Sequence, residues 1–214
     1  RLESLCHLSY YYEHAGLSQE QNSRMTKKSQ PTNRSRTPHS EKFMDFISSK
    51  WAELEGPEIR RWAVADFAAR RRQAISDAFP GRQIILQSGE PKVRSNDSDY
   101  RYRPDTAFTH MTGWGSATVP GSVLVIDSTS SQAQATLYLL PTAGKNTDEF
   151  FANPAIGEFW VGPRPTLKDV ETQLGIRTKD IKDFKKDKKT WPNFLDIEDQ
   201  ELEVALSTLR FIKD

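Results

Sequence analysis

Three apolar runs constrain this 214-residue chain more than anything else in it: "QIILQ" at 83–87, "SVLVID" at 122–127 and "ATLYLL" at 135–140. Each has the length of a β-strand and falls far short of the roughly 20 apolar residues that a membrane helix requires. Turn-forming residues bound them, with Pro80-Gly81 ahead of the first and "STSSQAQ" between the other two. The first run reads as a buried strand, so other elements must cover it.

Helical periodicity supplies those elements. In "SEKFMDFISSKWAEL" a single stripe holds Phe43, Phe46, Ile47, Trp51 and Leu54, with Ser40 placed to cap it. Gly56-Pro57 interrupts. A second helix, "EIRRWAVADFAARRRQAISDAF", then turns Ile59, Trp62, Ala63, Phe67, Ala74 and Ile75 inward, leaving Arg70, Arg71 and Arg72 as a solvated or interface face. Thr166 and Asp169 have the spacing of a capping box for "LKDVETQL", which Gly175 closes. A last helix begins near Asp196 and carries Leu202, Leu206, Leu209 and Ile212 forward with nothing evident to cover them, an exposed stripe that would reduce solubility. Helices, then strands, then a helix give an α/β or α+β domain from about 40 to 195.

Charge and cysteine usage exclude several functions. Thirty basic and 29 acidic residues leave a net charge of +1, which gives no reason to expect nucleic acid or an anionic membrane as a partner. Cys6 is the only cysteine, so no intrachain disulfide can form, and a reducing, cytoplasmic location fits. The four histidines are scattered and neither CxxC nor HExxH occurs, so a zinc site built from this chain alone is not expected. Residues 1–24 lack the apolar centre of a signal peptide. Met25 reads as the natural start with 1–24 upstream of it, and "MTKKSQPTNRSRTPHSEK" is basic and rich in Ser, Thr, Pro and Asn. Residues 1–39 are therefore expected to form a disordered tail.

One stretch carries more than periodicity. "NDSDYRYRPDTAFTHMTGW", residues 96–114, is too polar for a core strand and too aromatic for a solvated loop. Asp97, Asp99 and Asp105 lie beside Arg101 and Arg103 and read as paired charges rather than as metal ligands. Tyr100, Arg101, Tyr102 and Arg103 are expected to form a docking turn, with "TAFTHMTGW" as the strand behind it. The alternative at this point is that Tyr102 and Phe108 are core and the arginines solvated.

With its surroundings, "VRSNDSDYRYRPDTAFTHMTGW" resembles the signature of the N-terminal domain of bacterial Xaa-Pro aminopeptidases (aminopeptidase P). Upstream, "FAARRRQAISDAFPGRQIIL" is similar to the opening helix and first strand of that family. Downstream, "GSVLVID", "ATLYLLP" and "DEFFANPAIGEFWVGPRP" resemble its next strands and its Trp-x-Gly-x-Arg segment, and "ALSTLRFIKD" resembles the opening of its catalytic domain. The stretch between Gly175 and Leu209 is shorter than the family usually has, so a strand or helix is expected to be missing there.

The resemblance implies an α/β fold with a mixed sheet flanked by helices. It also implies a division into a tail at 1–39, an N-terminal domain at 40–196 and the start of a truncated pita-bread metallopeptidase domain at 197–214. The chemistry would belong to that missing domain, where two manganese ions activate a water against the bond before a proline at position two. The chain itself would bind no metal and be inert. Its expected roles are assembly, as a dimer or tetramer and against its own catalytic domain, and gating of peptides with proline second. Trp160 would approach a neighbouring subunit's substrate pocket, and Arg164 would meet a carboxylate across that interface; Trp160 filling an ordinary interface is the alternative. Arg103, Tyr102 and Tyr100 are the remaining interface candidates. Two other readings stay open: a stand-alone binding or scaffold domain of the same fold, and a prolidase fragment.

Overall fold

The computed structural model describes residues 41–52, 58–96, 98–145, 147–152, 157–196 and 198–209. The expected tail, Cys6, the Ser40 cap, Leu54, the Gly56-Pro57 break, Asp97 and Ile212 lie outside them.

The three apolar runs form the centre of a five-stranded sheet. β1 (Gln83–Gln87) pairs antiparallel with β4 (Val123–Asp127), which pairs antiparallel with β5 (Gln134–Leu139). β6 (Arg177–Asp180) and β7 (Phe194–Leu195) add parallel edges to β5 and β1, so the order is β6-β5-β4-β1-β7 and the sheet is mixed. β2 (Val93–Ser95) and β3 (Ser98–Asp99) make a separate two-stranded ribbon. The segment after Gly175 therefore supplies two strands of the sheet.

Both faces are covered. Ile84, Leu86, Leu124, Ile126, Leu137 and Leu139 alternate onto one face and join the main core. On that side lie α2 (Val64–Ala78), α3 (Thr106–Thr112), α6 (Leu167–Leu174) and α8 (Gln200–Leu209). On the other face Ile85, Val123, Val125 and Tyr138 meet Ile181 and Phe184 of α7 (Ile181–Lys188) and Trp191. Three short helices, α1 (Glu41–Ser48), α4 (Asp148–Ala152) and α5 (Glu158–Val161), complete the chain. No helix among the described residues is long and apolar enough to cross a membrane.

Four expectations are corrected. "TAFTHMT" is helix α3, not a strand: the Asp105 carboxylate accepts from Ala107 N and Phe108 N at 2.8 and 3.0 Å, and Gly113 ends the helix at φ 73°. The second helix begins at Val64 rather than 58, and its buried stripe is Ala65, Ala68, Arg72, Ile75 and Ser76, so Phe67 faces outward. Arg72 is not solvated: it is 5% exposed and donates to the Met111 carbonyl at 2.8 Å, satisfying the end of α3. Burial, with Arg61 a smaller contributor, lowers its pKa to about 10, and the guanidinium still carries its proton at neutral pH. Finally, Leu202 and Leu206 are covered, because α8 packs on α2 and places both in the main core.

Candidate functional site: a groove between the motif turn and the Trp-Gly-Arg segment

The turn that leads from β3 into α3 is fixed to the end of β1. The Tyr102 hydroxyl donates to the carbonyls of Ser88 and Gly89 at 3.0 and 3.1 Å, and the Asp105 N–H donates to the Ser88 carbonyl at 2.9 Å. Burial raises the Tyr102 pKa, and the nearby Glu90 and Asp105 charges act in the same direction, so the phenol stays a neutral donor. Tyr100 stands 60% exposed. Arg101 and Arg103 are exposed and form no ion pair among the described residues, which corrects the expected pairing with the neighbouring aspartates.

Two adjoining cavities flank this turn. One, of about 520 Å³, is lined by Arg101, Tyr102, Arg103, Pro104, Thr109 and His110 among others. The second, of about 350 Å³, runs from Tyr100 and Tyr102 past Pro91 and Pro120 to Pro163 and Arg164. Tyr102 and Ser116 line both, so the structure brings the motif turn and the segment after α5 to one groove.

Arg164 anchors the far wall from within. Its Nη2 lies 2.5 Å from Glu149 Oε1 and its Nε 3.4 Å from Glu158 Oε1, with the Arg164 side chain 7% exposed. Glu158 Oε1 also accepts from Ala143 N at 2.8 Å. The Arg164 guanidinium thus meets two carboxylates of its own chain. They compensate a buried guanidinium and hold α4, α5 and the 163–165 strip together.

Trp160 sits apart from the groove lining, although the adjacent Val161 contributes to it. Its indole N–H donates to the Phe151 carbonyl at 2.8 Å, and its ring meets Phe159 edge-on at 5.2 Å. With the donor engaged and 54% of the residue exposed, what Trp160 offers outward is a flat apolar wall. It continues an aromatic apron in which Trp51 meets Phe150 and Phe159 edge-on at 5.8 and 6.2 Å. Phe46 and Phe159 are exposed on it, a grouping of the kind that marks contact surfaces. The sequence had offered Trp51 only as part of a helical stripe. Phe159 and the two glutamates were missed because their partners are distant in the chain.

Among the described residues no three His, Cys, Asp or Glu side chains come together as a metal site. The residues present do not fit a dinuclear centre, and no chemical step is assigned to them.

A mixed sheet with helices on both faces and a Tyr/Arg turn at its edge defines an α/β domain. The family model described as "Aminopeptidase P, N-terminal domain" matches residues 67–193, and the chain belongs to that family. Xaa-Pro aminopeptidase 1 of Streptomyces coelicolor is 33% identical over 145 residues, covering 68% of this chain and 29% of the relative. Xaa-Pro aminopeptidase 2 of the same organism is 31% identical over 187 residues, covering 79% and 39%. The chain therefore spans about a third of the length of these relatives. The fold is similar to that of aminopeptidase P from E. coli with the inhibitor Pro-Leu, at a TM-score of 0.52 and 21% identity over 70% of this chain and 33% of that one.

Proposed function

We propose that this chain is the assembly and substrate-gating domain of a longer Xaa-Pro aminopeptidase. The parent would release the first residue from peptides with proline second, using a dinuclear, manganese-type centre in a catalytic domain that follows. In this reading the chain alone is inert, and the parent is an oligomeric cytoplasmic enzyme. The observation that carries the proposal is Trp160: a half-exposed indole whose N–H is already satisfied inside the chain, on an aromatic apron beside the Tyr/Arg groove. Such a ring packs against a proline ring or an apolar neighbour without leaving a donor unpaired. Arg101 and Arg103, exposed and without an ion pair among the described residues, suit the carboxylates of a docking partner.

The test is made on the longer parent. Trp160→Ala is compared with the wild type on an Xaa-Pro tripeptide and on a longer peptide with the same N-terminus, alongside the oligomeric mass in solution. The expected result is a shift of about tenfold or more in the ratio of kcat/KM between the two substrates, about 1.4 kcal/mol of discrimination. An unchanged ratio with unchanged mass refutes gating by Trp160. A parent that leaves both peptides intact refutes the peptidase assignment and favours a binding domain.

A further inference from the structure

The two adjoining cavities of the groove offer a ligand different things. The smaller is walled by the rings of Tyr100, Tyr102, Pro91, Pro120, Pro163 and Pro165, and Val119 and Leu140 also line it. Several of its polar side chains are already engaged. The Tyr102 hydroxyl donates to the Ser88 and Gly89 carbonyls, the Thr118 hydroxyl donates to the carbonyls of Trp114 and Gly115 at 2.7 Å, and Arg164 is paired with Glu149 and Glu158. The wall prolines carry no backbone N–H.

An ordinary extended strand entering this space would bury peptide N–H groups against rings, and each would lose a hydrogen bond made in water. A proline-rich segment has few such groups to lose. It keeps the polyproline II shape without internal hydrogen bonds and lays its rings on aromatic faces. Tyr100, 60% exposed, presents such a face. The Cα atoms of Tyr100 and Tyr102 lie at most about 7 Å apart, within the roughly 9 Å of one polyproline II turn, so both rings reach a single turn of the ligand.

The larger cavity is charged. Arg101 and Arg103 line it with His110 and the hydroxyl-bearing Thr106, Thr109 and Ser116, and no Asp or Glu among the described residues does so. Neither arginine forms an ion pair among the described residues. Asp99 lines the smaller cavity only, so the groove is positive at the arginine end and negative near Asp99. Tyr102 and Ser116 line both cavities, so one segment can pass from the apolar half into the positive half. We infer that the groove binds a proline-rich partner segment flanked by acidic residues, its prolines against Tyr100 and Tyr102 and its carboxylates on Arg101 and Arg103. Asp99 opposes acidic residues at the other end. The inference rests on the reading of the two arginines as partner-facing. It requires neither a free peptide N-terminus nor a cleavable bond, and so is separate from the peptidase assignment.

The experiment is a fluorescence anisotropy titration of the 214-residue chain against the peptides acetyl-PPPPEE, acetyl-PPPPKK and acetyl-AAAAEE, each carrying fluorescein at its C-terminus. Acetyl-PPPPEE is expected to bind with a Kd of about 0.1 mM or tighter, and the other two roughly tenfold or more weakly. Tyr100 and both arginines are exposed, so Tyr100→Ala and the paired change Arg101→Gln with Arg103→Gln are expected to keep the wild-type circular dichroism spectrum. Each should weaken acetyl-PPPPEE about tenfold, and the arginine pair should also remove its preference over acetyl-PPPPKK. Equal binding of acetyl-PPPPEE and acetyl-AAAAEE would leave charge alone at the arginines and overturn the site. Equal binding of acetyl-PPPPEE and acetyl-PPPPKK, or full binding by a folded Tyr100→Ala, overturns it too. The comparison of peptides on the wild type decides the matter whatever a substitution does to folding. Because the acetylated peptides have no free N-terminus, a parent that cleaves nothing leaves their binding standing, whereas an intact Trp160 effect without peptide binding sinks this inference alone.

Discussion

Leu206→Ala tests whether the last helix belongs to this domain. Leu206 is 1% exposed, and α8 reaches the main core through its contacts with α2. Truncating a leucine at such a site removes its transfer free energy and leaves a cavity, together about 2–5 kcal/mol. Taking about 3 kcal/mol, the urea midpoint should fall by about 1–1.5 M for a slope of 2–3 kcal/mol/M, with the slope itself unchanged. At about 2–4 °C per kcal/mol for a chain of this size, the midpoint of thermal unfolding should fall by roughly 6–12 °C. Val204 is the internal control: it lies on the same helix, is 62% exposed, and Val204→Ala should stay within about 0.5 kcal/mol. The assay is urea unfolding followed by far-UV circular dichroism and tryptophan fluorescence in parallel. If Leu206→Ala costs less than about 1 kcal/mol and behaves like Val204→Ala, α8 is not docked on α2, and the burial argument fails.

Two further outcomes are expected. Arg164→Met leaves Glu149 and Glu158 facing each other without their shared cation and should cost about 3 kcal/mol; adding Glu158→Gln should restore part of it, and a double-mutant cycle without coupling would contradict the pairing. The Lys179 ammonium, and secondarily the Tyr138 hydroxyl, hold the Asp187 carboxyl below the usual carboxylate range. Its contribution is therefore present above the unfolded-state pKa of about 4 and is lost as pH falls through the lower folded-state value. Asp187→Asn should flatten the acid limb of stability against pH, and identical limbs in the two proteins would refute the assignment.

What could be read from the chain alone was what depends on near neighbours. The three apolar runs became β1, β4 and β5. The Thr166–Asp169 capping box is present in both directions at 3.1 Å, and Gly175 closes α6 at φ 60°. These are interactions over three or four residues or alternations within one strand, and sequence spacing specifies them directly. The family signature was legible for a similar reason, being a fixed order of residues. The strand expected at "TAFTHMT" shows the limit of local propensity. Thr and Phe favour strands, but Asp105 and Gly113 stand at the two ends as caps, and Ala107, Phe108 and Met111 have helical spacing; that signal was available and outweighs the composition.

The rest was decided by contacts between distant parts of the chain. Arg72 is buried only because the end of α3, 39 residues away, presents the Met111 carbonyl to it. Leu202 and Leu206 are core only because α8 returns to α2. Arg164 spends its charge on glutamates brought together by α4 and α5, and Tyr102 and the 163–165 strip come to line one cavity. A single sequence fixes which side chains are able to make such contacts. Which of them meet is set by the packing of the layers, because a guanidinium or a leucine stripe is satisfied equally well by solvent exposure, by a partner domain or by its own core until the tertiary structure brings one of these within reach.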